Sequence, residues 1–383
     1  MIYLDNAATT QVDNQVKEAM LPYLNDIFAN PSSKFYKSAI NANDAVKNAR
    51  QNVSELLGCD DEEIIFTSGA SESNNFIIKG VSDYYRDQGN HIITSQGEHK
   101  SVLESCKFLE KNGFEITYLP IKENGHIDIE DLKESIKNNT ILVSLIWANN
   151  ELGALNNIKK ISKITNENDI FLHVDATQYV GKKEINLKNS EIDFLSFSAH
   201  KIYGPKGIGA AYISKDDIGI RQNITPLIHG GEQEFGLRGS TLATHNIVGF
   251  GKAAEITNKN INSYYNHLEE LENYFKENIK IKIPEIMFNG NQKNKIPGII
   301  NMTIPGIHNQ LFIKSVKDEL AISTGSACSI GKPSHVLSSL GLDKNQIRST
   351  LRISFGKYNK KNDISIFLKK IFNYITNFNT KFQ

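Results

Sequence analysis

The chain is poor in the features that mark secreted, membrane-bound or nucleic-acid-binding proteins. Three cysteines, Cys59, Cys106 and Cys328, occur in 383 residues and share no paired spacing. That pattern excludes a disulfide framework and a cysteine-ligated zinc site, and no metal is expected. Acidic and basic residues balance at 43 each, so no general electrostatic grip on nucleic acid or an anionic membrane is available. No apolar run is long enough to span a bilayer. The opening "MIYLDNAATT" lacks the basic and apolar segments of a secretion signal. A cytoplasmic location is the expectation.

What is present is an alternation. Short apolar, β-branched runs recur: "EIIFTSG", "HIITS", "FEITYLP", "TILVSLIWA", "IFLHVDA", "FLSFSAH" and "GAAYIS". Between most of them lie stretches such as "AVKNARQNVSELLG" and "HKSVLESCKFLEKNG", with apolar residues three and four apart. Strands alternating with helices predict an α/β fold, a mostly parallel sheet between helices. After about residue 255 the pattern changes to a charged amphipathic helix, "SYYNHLEELENYFKENI", then "IPGIINMTI" and a last helix, "ISIFLKKIFNYI". This divides the chain into a large domain over 13–255 and a smaller α+β domain made of 1–12 and 256–383.

In such sheets, ligands gather at the carboxyl ends of the strands. The chemically capable residues fall there: Ser68 and Gly69 after "IIFT", His99 after "IITS", Asn150 after "SLIWA", Asp175 after "FLHV", and Lys201 after "FLSFS". A lysine in that position is either a surface residue or a Schiff-base former. A pyridoxal 5'-phosphate cofactor needs a lysine, an anion for its pyridine nitrogen, a phosphate cup and a group against its ring. Gly69, Ala70 and Ser71 open a predicted helix whose N-terminal N–H groups suit a phosphate. Asp175 is placed to pair with the pyridine nitrogen, although capping the next turn is the commoner use of such an Asp. Gln178 could reach the cofactor's phenolic oxygen. Ser198 and His200 flank Lys201 and could donate to the phosphate, while the His99 imidazole could stack on the pyridine and act as a catalytic proton shuttle, because it titrates near neutrality.

With these residues in place, the chain resembles the class V aminotransferase family, and within it the cysteine desulfurases of the NifS/IscS kind. The motifs run nearly end to end: "YLDNAATT", "NPSS", "FTSGASESNN", "EHKSVLESC", "NNELG", "HVDATQ", "SFSAHKIYGPKGIGA", "STGSACS" and "LRISFG". The resemblance implies a homodimeric pyridoxal-phosphate enzyme of fold type I that takes sulfur from L-cysteine and leaves L-alanine. It implies Lys201 as the Schiff-base lysine, Asp175 on the pyridine nitrogen, Gln178 on the phenolic oxygen and His99 on the ring. Ser71, Ser198 and His200 would hold the phosphate, and Thr241, in "GLRGST", would reach the neighbouring subunit's cofactor. Arg352 would clamp the substrate carboxylate, with Asn150 close by.

Cys328 is the sulfur acceptor that the resemblance implies, in a small, polar stretch, "STGSACSIGKPSH", whose composition is that of a mobile loop. Its persulfide would pass to an acceptor protein for iron–sulfur assembly, RNA thiolation or DNA sulfur modification. Phe35 and Tyr36 stand where many relatives have a histidine, and Glu232 marks a second departure, in the dimer-contact loop. A selenocysteine lyase or an aminotransferase on the same scaffold, or a non-catalytic assembly partner, are the alternatives.

Overall fold

Apolar runs that read as strands do form strands, and their burial explains their composition. The structure is a computed structural model and describes residues 1–216, 218–325 and 333–379. In chain order the strands are β1 (Ile2–Tyr3), β2 (Ile64–Thr67), β3 (His91–Ser95), β4 (Glu115–Leu119), β5 (Thr140–Ile146) and β6 (Phe171–Asp175). They continue with β7 (Phe194–Ser198), β8 (Gly209–Ile213), β9 (Met287–Phe288), β10 (Ile299–Thr303), β11 (Leu320–Ala321) and β12 (Thr350–Ser354).

A seven-stranded sheet has the order β2-β8-β7-β6-β5-β3-β4. The pairs β3–β4, β3–β5, β5–β6 and β6–β7 are parallel, while β8 runs antiparallel to both of its neighbours, β2 and β7. Every residue of β5, β7 and β8 is buried, as expected for strands covered on both faces. Adjacent side chains go to opposite sides: Leu142 and Phe194 join one apolar core, Val143 and Leu195 the other. Helices Ala70–Tyr84, Lys100–Glu110 and Ile158–Asn166 fill the connections after β2, β3 and β5.

A further core gathers Leu4 with Leu268, Phe275, Ile300, Ile353 and Phe367. It lies against the sheet β12-β10-β9 and the pair β1–β11. The helix Thr244–Lys282 runs unbroken through residue 255 and places Phe250 in a core of the large sheet and Phe275 in this further core. Because β2, β3, β5, β6 and β7 all point the same way, the residues following them share one edge of the sheet. Among the described residues, no helix is long and apolar enough to cross a membrane.

Candidate active site

That shared edge opens into a cavity of about 530 Å³. Gly69, Ala70, Ser71, His99, Asn150 and Asp175 line it, as do Gln178, Ser198, His200, Lys201 and Arg352. Thr241 is exposed and does not line it. Cys328 lies outside the described residues.

Lys201 ends a single 3-10 turn, Ala199–Lys201, directly after β7. Its Nζ donates to the carbonyl oxygens of Ala7 (2.5 Å) and Ala8 (2.8 Å). Gln178 Nε2 donates to the same Ala7 oxygen at 2.8 Å. The N-terminal segment thus crosses the strand ends and holds two polar side chains that point toward the cavity from different strands.

At one end of the cavity, β2 turns into the helix Ala70–Tyr84 through Gly69, whose φ is +153°. A Cβ on Gly209 would fall 2.6 Å from the Gly69 Cα, so the turn lies flat on β8 with no side chain between them. Ala70 N–H donates to Ser198 Oγ at 2.7 Å, and His200 Nδ1 is 3.1 Å from Thr9 Oγ1. Burial, reinforced by Lys201 and Lys206, lowers the His200 pKa to about 4, so this imidazole is neutral at ordinary pH. The first N–H groups of a helix together with flanking hydroxyls make a seat for an anion.

Asp175 is buried at the end of β6. Its Oδ1 accepts from Thr177 N–H at 3.0 Å, the turn-capping use expected of such an Asp, while Oδ2 accepts from Asn74 Nδ2 at 2.9 Å. A carboxylate offers about four lone-pair sites, so capacity remains for a cationic partner. His99 caps the helix Lys100–Glu110, with Nδ1 accepting from Ser101 N–H at 3.2 Å. Burial holds its pKa below the ordinary histidine value, opposed by Asp175 and reinforced by Lys201.

Arg352, on β12, is 1% exposed. Nη1 donates to the carbonyls of Asn150 and Gly325, both at 3.0 Å, and Nη2 to Asp5 Oδ1 at 2.7 Å. Its Nε is buried with no partner among the described residues. The guanidinium therefore stands fixed at the cavity with two of its five donors uncommitted, on Nε and Nη2.

Asn74, Ser101, Thr177, Glu151 and His335 also stand at the site, although the sequence alone assigns them no role there. Asn74 sits one helical turn beyond Ala70, a spacing that could have pointed to the same cavity, and Glu151 stands within the "NNELG" motif. Ser101 stands within "EHKSVLESC" and His335 ends "STGSACSIGKPSH", but neither motif shows what its side chain would touch. Cys59 and Cys106 are buried, and burial pushes both thiols up, which leaves them inert.

The chain matches the pattern of the family described as Aminotransferase class-V over residues 2–367. It is 47% identical over 374 residues to "Cysteine desulfurase IscS" of Buchnera aphidicola subsp. Schizaphis graminum, covering 97% of this chain and 91% of that protein. The fold superposes on a solved "NifS-like protein" with a TM-score of 0.91 at 34% identity, over 98% of this chain and 99% of that one. It also matches "SspA in complex with cysteine" with a TM-score of 0.79 at 38% identity, over 94% and 100% of the two chains. A family pattern and relatives that span nearly the whole chain agree with the strand-end cavity, and the protein belongs to the class V aminotransferase family, in its cysteine desulfurase branch.

Proposed function

We propose that the protein binds pyridoxal 5'-phosphate in the strand-end cavity and converts L-cysteine to L-alanine, leaving the sulfur on Cys328 as a persulfide. The observation that carries this reading is the convergence of Lys201, Asp175, His99 and Arg352 on one cavity. The donor set fits the cofactor: the helix N-terminus at Ala70 and the hydroxyl of Ser198 suit a phosphate, and Asp175 keeps free acceptor capacity. Thr177 Oγ1, on the cavity wall, is a buried hydroxyl with no partner among the described residues, as a ligand contact would leave it.

In this reading Ser71, Ser198 and His200 hold the phosphate, Asp175 the pyridine nitrogen, Gln178 the phenolic oxygen and Lys201 the aldehyde carbon. When bound, the cofactor supplies an electron sink that makes the substrate Cα proton acidic and the Cβ–Sγ bond breakable. Lys201 moves the Cα proton once substrate has taken its place. His99 lies against the ring and excludes water from that face. Arg352 orients the substrate carboxylate with paired hydrogen bonds, which a planar guanidinium forms and an ammonium cannot. Cys328, as a thiolate, attacks the substrate Sγ. The Cβ–Sγ bond breaks, an S–S bond forms, and the thiol proton ends on alanine: cysteine plus enzyme thiol give alanine plus enzyme persulfide. The carbon is reduced and the sulfur pair oxidised, so no outside oxidant is needed. The persulfide then passes to an acceptor protein.

The active form is a homodimer in this reading, with Thr241 reaching the partner's cofactor. Its exposure away from its own cavity supports that, as does the exposure of Phe28 (77%) and Phe35 (95%). Residues 13–255 form the cofactor-holding domain, and 1–12 with 256–383 the smaller one. The test is to reconstitute the purified protein with pyridoxal phosphate and supply L-cysteine and a reductant. Alanine and sulfide should appear, borohydride should trap the cofactor on Lys201, and Lys201→Ala should do neither. No alanine above the Lys201→Ala background would overturn the assignment.

A further inference from the structure

We infer that Asn74 and Ser101 are positioning residues which join Asp175 to His99 and fix the His99 ring proton on Nε2. This inference rests on the reading that His99 lies against the cofactor.

The chain of hydrogen bonds has one consistent direction. Asn74 Nδ2 lies 2.9 Å from Asp175 Oδ2 and 2.8 Å from Ser101 Oγ. The Asp175 oxygen accepts here, so the amide nitrogen of Asn74, not its oxygen, faces it. Both of its hydrogens are then used. Ser101 Oγ has accepted from Asn74, and its own proton goes to its other neighbour, His99 Nδ1, at 2.8 Å. Ser101 N–H also donates to that nitrogen, at 3.2 Å. Two donors on Nδ1 identify it as the lone-pair nitrogen, so the ring carries its proton on Nε2.

Asn74 is held in this orientation at a penalty. Its Oδ1 is buried with no partner among the described residues, and a stranded buried acceptor destabilises a fold. A flipped amide would set its oxygen against the Asp175 carboxylate, where neither group can donate. The network also opposes a second proton on His99, because Nδ1–H would face the fixed Ser101 N–H. The charged and titratable groups acting on the ring are Asp175, Lys201, His335 and Lys100, and burial already disfavours the cation. His99 is therefore a neutral donor from Nε2 rather than an imidazolium.

The full-length protein labelled with ¹⁵N-histidine tests this without relying on turnover. At neutral pH, with and without pyridoxal phosphate, His99 should show a pyridine-like Nδ1 and a pyrrole-like Nε2, assigned by loss of the signals in His99→Gln. Ser101→Ala and Asn74→Ala should each mix the tautomers, and Ser101→Thr should restore the single form. In the reconstituted enzyme, Ser101→Ala should slow first-turnover alanine formation about tenfold, leave the KM for cysteine within about threefold, and recover in Ser101→Thr. A protonated Nδ1 in the parent, or unchanged spectra in both alanine variants, would overturn the inference. Should Asn74→Ala fail to fold, Ser101→Ala alone decides. Failure of the parent to release alanine would instead count against the desulfurase reading and leave the spectra standing.

Discussion

Ser334 Oγ donates to Glu151 Oε2 over 2.6 Å, and a Cβ on Gly325 would come within 3.0 Å of that same oxygen. A carboxylate only 2% exposed thus meets the chain on both sides of residues 326–332. Gly325 itself has a φ of +107°, which glycine alone adopts without strain. Glu151→Ala strands the Ser334 hydroxyl, at about 1–3 kcal/mol, and should lower both the melting temperature and the alanine rate. Glu151→Gln keeps an acceptor and should retain most of each. Thermal unfolding and alanine release, measured side by side, check this; equal behaviour of the two variants would refute it.

Arg352 offers a second measurement. A lysine there could not serve the Asn150 and Gly325 carbonyls, Asp5 and a substrate carboxylate together. Arg352→Lys should therefore raise the KM for cysteine about ten- to a hundredfold, from the loss of one charge-assisted hydrogen bond of about 1.5–3 kcal/mol. Steady-state kinetics across cysteine concentrations would show it, and an unchanged KM would argue against a carboxylate clamp.

Glu98 predicts a pH dependence of stability. Burial pushes its carboxyl up to about 8, from an ordinary value of 4.5. Between those values the folded chain keeps a proton that the unfolded chain releases. Its contribution to stability therefore falls as pH rises from 4.5 and levels off above 8, with a slope of up to about 1.4 kcal/mol per pH unit. Glu98→Gln cannot titrate, so its stability relative to the parent should climb with pH across the same window. Urea unfolding of both proteins at three pH values inside the window measures the difference; a flat difference would count against the assignment.

Gly209 tests the seat beneath the cavity. A Cβ at this position would lie 2.6 Å from both the Gly69 Cα and the Phe197 carbonyl oxygen. Gly209→Ala must push β8 off the Gly69 turn, at about 1–3 kcal/mol for an overpacked site. Lower stability to denaturant and a weaker absorbance titration with pyridoxal phosphate are the expected results.

The strands of the large sheet were legible because burial on both faces demands uninterrupted apolar residues, and "TILVSLI" or "FLSFS" can hardly be anything else. The reversal of β8 was not, since periodicity carries no direction. Nor was the start of the helix Thr244–Lys282, which the composition change near 255 obscured. Glycine at 251 weakens the helical signal there, yet a Cβ at that position would fall 2.4 Å from the Ala49 Cα; close packing against the helix Lys37–Leu57 overrides propensity. At the site, residues at strand ends could be read from order alone. The links among Asn74, Ser101 and Asp175 could not, because the partners are far apart in the chain and meet only through the sheet.

The pairing of β1 with β11, Ile2 beside Leu320 and Tyr3 beside Ala321, has a consequence for biosynthesis. Ile2 and Tyr3 must wait, unpaired, until Leu320 and Ala321 have been synthesised. Leu4, fully shielded in the finished molecule, spends that interval bare to water. Deleting Ile2 and Tyr3 would strike the same strand pair as damage near Leu320.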